Sequence, residues 1–428
     1  MIEYDFKNEE ISNICNNMII YAVSRRASDI HFDPHENGLL VRIRVDGVLQ
    51  DHTLVPLEYQ KNLTTRLKLI SNMNITESRL PQDGAIKDTI NGIDLDMRVS
   101  SLTTNLGEKI VIRILDYSKS RDGLESLGFT PKNLKKIKRM IEVPNGIILI
   151  TGATGTGKST TCYTMLQYLN NEQTNIITVE DPIEMNIEGI NQVQVNSEIG
   201  LTFGRVLRSI LRQDPNIILI GEIRDSETAQ IAVRASITGH LVFSTVHTNN
   251  SLSTIERLLD MNVERYLLSS ALTGIVSQKL ARRLCKNCRK VRPTTDYEKA
   301  VFKENLGLDI LEINDVDETK HCDNCRNGYF GRIAIQEVLL LNDEIREAIN
   351  NNNIPREQLR ELVYTSDVTT LLQDGLQKVL DGITTFEEIY KNVAIDTVLD
   401  EKYSLESTPK EETSLLSSLS QEDATDII

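Results

Sequence analysis

Tryptophan is absent from this 428-residue sequence, and aromatic residues make up only 5% of it. Few rings are therefore available for stacking on nucleic-acid bases. Positive charge is also in deficit. Lys and Arg total 47 against 62 Asp and Glu, a formal net charge of −15, the wrong sign for a motor that tracks duplex nucleic acid through a basic channel. A small local basic patch remains compatible with that balance. No long apolar segment and no secretory leader pattern occurs, so the expectation is a soluble cytoplasmic protein. Cysteine is sparse, six in all, and its arrangement suits a reducing compartment better than a disulfide framework.

What the sequence does contain is Gly152-Ala-Thr-Gly-Thr-Gly-Lys-Ser159, placed after the apolar run Ile147-Ile-Leu-Ile-Thr151 and before a helical pattern that opens with Thr160. Strand, glycine-rich turn and helix in that order form a phosphate-binding loop. Gly152, Gly155 and Gly157 let the backbone curl so that the N–H groups of Ala153, Thr154, Thr156 and their neighbours face the phosphates of a nucleotide. Lys158 adds a point charge at the β- and γ-phosphates, and the Ser159 hydroxyl is placed to hold Mg²⁺. The substrate class that this pattern implies is a nucleoside triphosphate.

Two further apolar runs end in acids. Ile176-Ile-Thr-Val-Glu-Asp-Pro-Ile-Glu184 supplies Glu180, Asp181 and Glu184, and Ile217-Ile-Leu-Ile-Gly-Glu-Ile-Arg-Asp225 supplies Glu222. Runs of this kind suit strands covered on both faces, whose carboxyl ends are where open α/β sheets bind ligands. Glu180, Asp181 and Glu222 are expected near the nucleotide. Glu222 organises Mg²⁺ directly or through water, and Glu184 orients or deprotonates the attacking water. A third run, Thr238-Gly-His-Leu-Val-Phe-Ser-Thr-Val-His-Thr248, carries His240 and His247 at its two ends. Histidines so placed serve as core or cap residues as well as catalysts.

Before the phosphate loop, the period of the apolar residues changes. Ile11, Ile14, Cys15, Met18, Ile19, Ala22 and Val23 make a helical stripe, whereas Leu39, Val41, Ile43 and Val45 alternate with Arg42 and Arg44 before Asp46-Gly47, a hairpin signal. Ile93, Leu95, Met97 and Val99 alternate likewise after Asn91-Gly92. These patterns predict an α+β domain over residues 1–116 whose sheet is covered on one face. The polar stretch from Asp116 reads as a linker and hinge, taken over 117–130. Four cysteines form Cys285-x₂-Cys288 and Cys322-x₂-Cys325. Four thiolates fill a tetrahedral Zn²⁺ shell and leave no position for water, so the reading is a structural ion in a module over 285–331. Cys15 and Cys162 fall in apolar patterns and read as packing residues. Residues 401–428 are rich in Ser and acids and read as a disordered tail.

The four blocks "GATGTGKS", "TVEDPIE", "IILIGEIRD" and "TGHLVFSTVHT", in this order, resemble the P-loop, aspartate box, Walker B and histidine box of the type II secretion and type IV pilus assembly ATPases. "ASDIHFDP", "VRIRVDGVL", "RLPQDGAI", "GEKIVIRIL", "SQKLARRLC", "GYFGRIAIQEVL" and "DGLQKVLDGITTFEEI" extend the resemblance over about Ala27 to Lys391. It implies an α/β protein with a RecA-like P-loop core over 131–284 behind an α+β nucleotide-sensing domain. A mostly helical C-terminal region over 332–400 follows the tetracysteine module. It also implies catalytic roles for His240 and His247, and for Arg98 and Arg113 a reach to the nucleotide of a neighbouring subunit. The implied activity is ATP hydrolysis by a hexameric ring, docked peripherally at the inner face of the cell membrane on an inner-membrane platform protein, with no nucleic-acid partner. Pilus, competence pseudopilus and secretion pseudopilus stay open as the filament served. A retraction ATPase and a nucleotide-dependent regulatory protein remain alternatives, although retraction ATPases generally lack the tetracysteine segment. Members that extend pili often carry an additional N-terminal docking module, which this sequence is expected to lack.

Overall fold

The computed structural model describes residues 1–90, 93–115, 123–320, 322, 325–365 and 367–393. The Asn91-Gly92 turn, the side chains of Ile93 and Leu95, residues 116–122 of the expected linker and the tail over 401–428 lie outside the described residues. The chain forms two compact units, one of Met1–Arg282 with Phe330–Thr369 and one of Arg283–Tyr329 with Thr370 onward.

The first unit opens with helix α1 (Ile11–Ser24), whose stripe of Ile14, Cys15, Met18, Ile19 and Ala22 is fully buried. Strands β1 (Ala27–His35), β2 (Gly38–Val45), β3 (Val48–Pro56), β4 (Gln82–Ile90), β5 (Ile93–Thr104) and β6 (Gly107–Ile114) form a six-stranded sheet in the order β3-β2-β1-β6-β5-β4, with every described pairing antiparallel. Helix α2 (Leu57–Ile70) lies between β3 and β4 in the chain. Leu39, Val41 and Ile43 of β2 and Met97 and Val99 of β5 share one core with α1 and with Leu63 and Leu67 of α2. The intervening positions leave Arg42, Arg44, Arg98 and Arg113 on the other face. Asp46 and Gly47 have φ of 50° and 89°, the two left-handed residues of the tight turn that the twist of a hairpin favours.

His52 on β3 is 3% exposed, with its ring 4.6 Å from Tyr21 and its Nε2 2.8 Å from the Tyr4 hydroxyl. Burial pulls this imidazole down to about 4. The unfolded chain takes up the proton near 6.5, so stability is lost progressively as pH falls from about 6.5 to about 4, roughly 3 kcal/mol in all. His52→Phe keeps a ring between Tyr4 and Tyr21 but cannot titrate. Its melting temperature is expected to fall less than that of the wild type between pH 7 and 5, and parallel declines would exclude His52 as the cause.

After a 3₁₀ turn at Leu124–Leu127, with Leu124 fully buried, helix α3 (Pro131–Ile141) starts on a Thr130 cap that accepts the Asn133 N–H, with proline in the first turn. Next come β7 (Gly146–Thr151), α4 (Lys158–Leu169), β8 (Ile176–Glu180), β9 (Asn191–Gln194), α5 (Phe203–Ile210), β10 (Ile217–Ile220), α6 (Ser226–Ile237), β11 (Leu241–Val246), α7 (Ser251–Asp260), α8 (Arg265–Ala271) and β12 (Leu272–Leu284). Strands β7, β8, β10 and β11 are buried at every position, which is why their sequences run apolar without alternation. They lie in a seven-stranded sheet of order β15-β12-β7-β11-β10-β8-β9, parallel from β12 to β9. Parallel pairing brings the carboxyl ends of β7, β8, β10 and β11, and the loops that follow them, to one edge.

In the second unit, β13 (Arg289–Pro293) and β14 (Glu312–Val316) pair antiparallel around α9 (Asp296–Leu306), which starts on a reciprocal Thr295–Glu298 cap. The region expected to be mostly helical, 332–400, opens on the end of a strand and then runs through four helices among the described residues. Strand β15 (Tyr329–Leu340) precedes α10 (Asp343–Asn350), α11 (Arg356–Thr365), α12 (Leu371–Leu380) and α13 (Phe386–Asn392) and borders β12 at the rim of the phosphate-loop sheet. Its alternation of buried Tyr329, Gly331, Ile333 and Ile335 with Phe330 and Arg332 has the period of a strand.

Candidate nucleotide site

The phosphate loop leaves β7 and returns as α4, with Gly157 at φ 86° as the helix cap. A Cβ on Gly152 would stand 2.4 Å from the Gln278 carbonyl and 2.6 Å from the Thr156 hydroxyl, so only glycine fits there. Gln278, on β12 and 2% exposed, donates to the Thr156 carbonyl at 2.6 Å and accepts from the Thr161 hydroxyl at 2.9 Å. One side chain thus ties the turn to the first turn of α4. Ala153, Thr154, Gly155, Ser159 and Thr160 face solvent. Lys158 is buried and donates to the Gly152 and Ala153 carbonyls, each at 2.9 Å. Burial lowers its pKa, opposed by Cys162 and by Glu222.

Glu222 follows β10, its side chain 14% exposed; it pairs with Arg224, and His247 Nε2, beyond the end of β11, is 3.4 Å from it. Glu184 lies in the loop after β8. Gln192 and Gln194 of β9 brace that loop. Gln192 accepts from the Ile187 N–H at 2.7 Å and donates to the Met185 carbonyl at 2.9 Å, and Gln194 accepts from the Ile183 N–H at 3.2 Å. On the other side Arg98 of β5 donates to the Ile183 carbonyl at 2.6 Å and lies 3.3 Å from the Glu184 carboxylate of its own chain. The site edge therefore gathers Lys158, Ser159, Thr160, Asp181, Glu184, Glu222 and His247.

Three expected residues stand apart from that group. Glu180 is 4% exposed and turns inward, accepting from Tyr163, from Thr178 at 2.5 Å and from Gln192 at 3.1 Å. Thr178 and Glu180 are two residues apart on one strand and so share a face, while Asp181 is exposed. His240 precedes β11 at the opposite, amino-terminal edge of the sheet, with its Nδ1 2.9 Å from the Ala235 carbonyl. The whole of β11, about 20 Å at 3.3 Å per residue, separates it from His247. Arg113, the cross-strand neighbour of Arg98, pairs with Asp29 at 3.1 Å, with its side chain 62% exposed. Residues that the sequence reading passed over are Gln278, Gln192, Gln194, Tyr163 and Arg224. Arg224 lies in the same run as Glu222, two residues beyond it. The glutamines carried only the weak signal of polar side chains within strand-like runs.

In the second unit, the Sγ atoms of Cys285, Cys288, Cys322 and Cys325 all lie within 4.8 Å of one another. Contacts of 3.8, 3.4 and 3.5 Å link Cys285 to Cys322, Cys322 to Cys325 and Cys325 to Cys288. The edges of a tetrahedron with metal–sulfur bonds of about 2.3 Å are about 3.8 Å. The sulfurs are therefore already spaced to bind one tetrahedral ion.

Residues 5–391 match the family described as type II/IV secretion system protein. The chain belongs to that family. With its phosphate loop, it is a secretion-family P-loop ATPase. It is 45% identical over 384 residues to the type II secretion system protein E of Pectobacterium carotovorum subsp. carotovorum, a match covering 89% of this chain and 75% of that protein. It is 43% identical over 388 residues to the type IV pilus assembly ATPase PilB of Myxococcus xanthus, covering 90% and 68%. Among solved structures, the pilus retraction motor PilT with bound ADP superposes with a TM-score of 0.60 at 27% identity, covering 88% of this chain and 96% of that one. The Legionella pneumophila ATPase DotB shares the fold, with a TM-score of 0.68 at 20% identity over 90% and 97%. Among the described residues, no helix of this secretion ATPase is long and apolar enough to cross a membrane.

Proposed function

We propose that the chain is a cytoplasmic motor that hydrolyses ATP to drive assembly of a type IV pilus or a type II secretion pseudopilus. In this reading six copies form a ring docked at the inner face of the membrane on a platform protein. The observation that carries it is the convergence of Lys158, Ser159, Glu184 and Glu222 on one sheet edge, in a chain 43–45% identical to secretion protein E and to PilB. Lys158 leaves the Gly152 and Ala153 carbonyls for the β- and γ-phosphates. Ser159 and Glu222 offer hard oxygen donors, the kind Mg²⁺ takes alongside substrate phosphates. Bound there, the cation neutralises charge on those phosphates. Glu184 orients or deprotonates the attacking water, and His247 steadies Glu222. Arg113, exposed on the N-terminal domain, reaches the nucleotide of the next subunit. The tetracysteine cluster takes one Zn²⁺ as a structural cross-link.

Mixing inactive subunits tests the ring. Lys158→Ala and Arg113→Ala are each expected to be inactive alone and to assemble at six times the 48.3 kDa chain mass. Random mixing in equal amounts creates a complete site at about a quarter of the interfaces, because each variant supplies what the other lacks. Turnover should recover to that order. No recovery in rings shown to be mixed removes the role in trans, and a monomer with full turnover removes the ring.

A further inference from the structure

Tyr163 sits on α4, five residues beyond Lys158, so its Cα is about 7.5 Å along the helix whose amino end faces the phosphates. It is 3% exposed. Its hydroxyl donates to the buried Glu180 carboxylate and accepts the Glu184 backbone N–H at 3.1 Å. A phenol has one proton to give, so with Glu180 as acceptor the oxygen is free to receive the Glu184 amide. The result is a directional relay from Glu184 N–H through Tyr163 to Glu180, in which each bond polarises the next. Burial, followed by the charge of Glu180, raises the Tyr163 pKa and keeps the hydroxyl a donor. Thr178 and Gln192 supply the other side-chain donors to Glu180, fixing the carboxylate to which Tyr163 is anchored.

We propose that Tyr163 is a positioning residue for hydrolysis, its hydroxyl setting where the Glu184 carboxylate stands relative to the helix that holds the phosphates. The proposal rests on the reading of Glu184 as the group that orients or deprotonates the attacking water. Gln192 and Gln194 hold the same loop from β9 but belong to the far side of β8, whereas Tyr163 ties it to the nucleotide-binding helix itself. Without the hydroxyl, the loop stays folded on its glutamine braces while the Glu184 amide loses its acceptor. A displacement of about 1 Å at a reacting group is enough to lower a rate by up to about 100-fold. Nucleotide affinity should hold, because the phosphate cradle is braced by Gln278.

The test compares full-length wild type, Tyr163→Phe, Glu184→Gln and the double variant, measuring ATP affinity, KM, kcat and thermal melting. Tyr163→Phe is expected to bind ATP within about twofold of wild type and to lose about 10-fold in kcat. In the Glu184→Gln background it should change kcat no further, since the hydroxyl acts through Glu184. Tyr163→Met fills the space without a hydroxyl and gives the same readout if the phenylalanine variant folds poorly. Wild-type kcat in the hydroxyl-less variants, with Glu184→Gln impaired, overturns the proposal and leaves the role of Glu184 intact. Losses that multiply in the double variant overturn it too, because they mark general damage. Undiminished turnover in Glu184→Gln removes the underlying reading as well.

Discussion

Glu184→Gln is expected to bind ATP with Mg²⁺ within about threefold of wild type and to hydrolyse it at least about 100 times more slowly, the usual scale for losing a positioned proton acceptor. The two halves of this result have separate structural origins. Affinity is expected to come from the phosphate loop, whose backbone is held by Gln278 and which carries the charge of Lys158. The Glu184 loop sits on the neighbouring part of the edge, braced by Gln192, Gln194 and Arg98. Glutamine keeps the size and the carbonyl acceptor of glutamate, including a partner for Arg98, and removes only the basic oxygen. Binding and single-turnover hydrolysis measured on one preparation separate the effects. Wild-type turnover in the variant would assign the water to another group, with Glu222 next in place.

The second large effect is expected at the tetracysteine cluster. Protein purified without added metal or chelator should carry about one zinc per chain by elemental analysis. Cys322→Ser should lose it and show an early melting transition confined to the second unit. Metal binding of this kind is folding free energy, and structural zinc sites of peptides are worth roughly 10 kcal/mol or more. ATP affinity should stay within about twofold, because every residue of the phosphate cradle belongs to the first unit. A well-folded product with far less than one zinc would sink this assignment. So would a chelator that abolishes hydrolysis while leaving the melting curve untouched.

The mixed α/β fold, its P-loop core and the family were legible in the sequence because their signals are local. A glycine-rich turn between an apolar run and a helix needs no distant partner to be recognised. The helical stripe of α1 and the alternation of Leu39, Val41 and Ile43 likewise name their own buried faces. Strand β15 was less legible, although its period of two was present, because its neighbour β12 lies across an intervening unit of the chain.

Sequence by itself determined which groups are available: a lysine and serine on a phosphate loop, acids at the ends of two apolar runs, histidines flanking a third, and two cysteine pairs. Only the tertiary structure decided which of them meet. Within one short motif it turned Glu180 inward onto Tyr163 and left Asp181 exposed, since side chains alternate along a strand and α4 covers one of its faces. It placed His247 beside Glu222 and His240 a full strand length away, since parallel pairing carries all the carboxyl ends to one edge and all the amino ends to the other. It also brought Gln278 under the phosphate loop from a strand more than a hundred residues downstream, a contact made by sheet order and invisible to any local pattern.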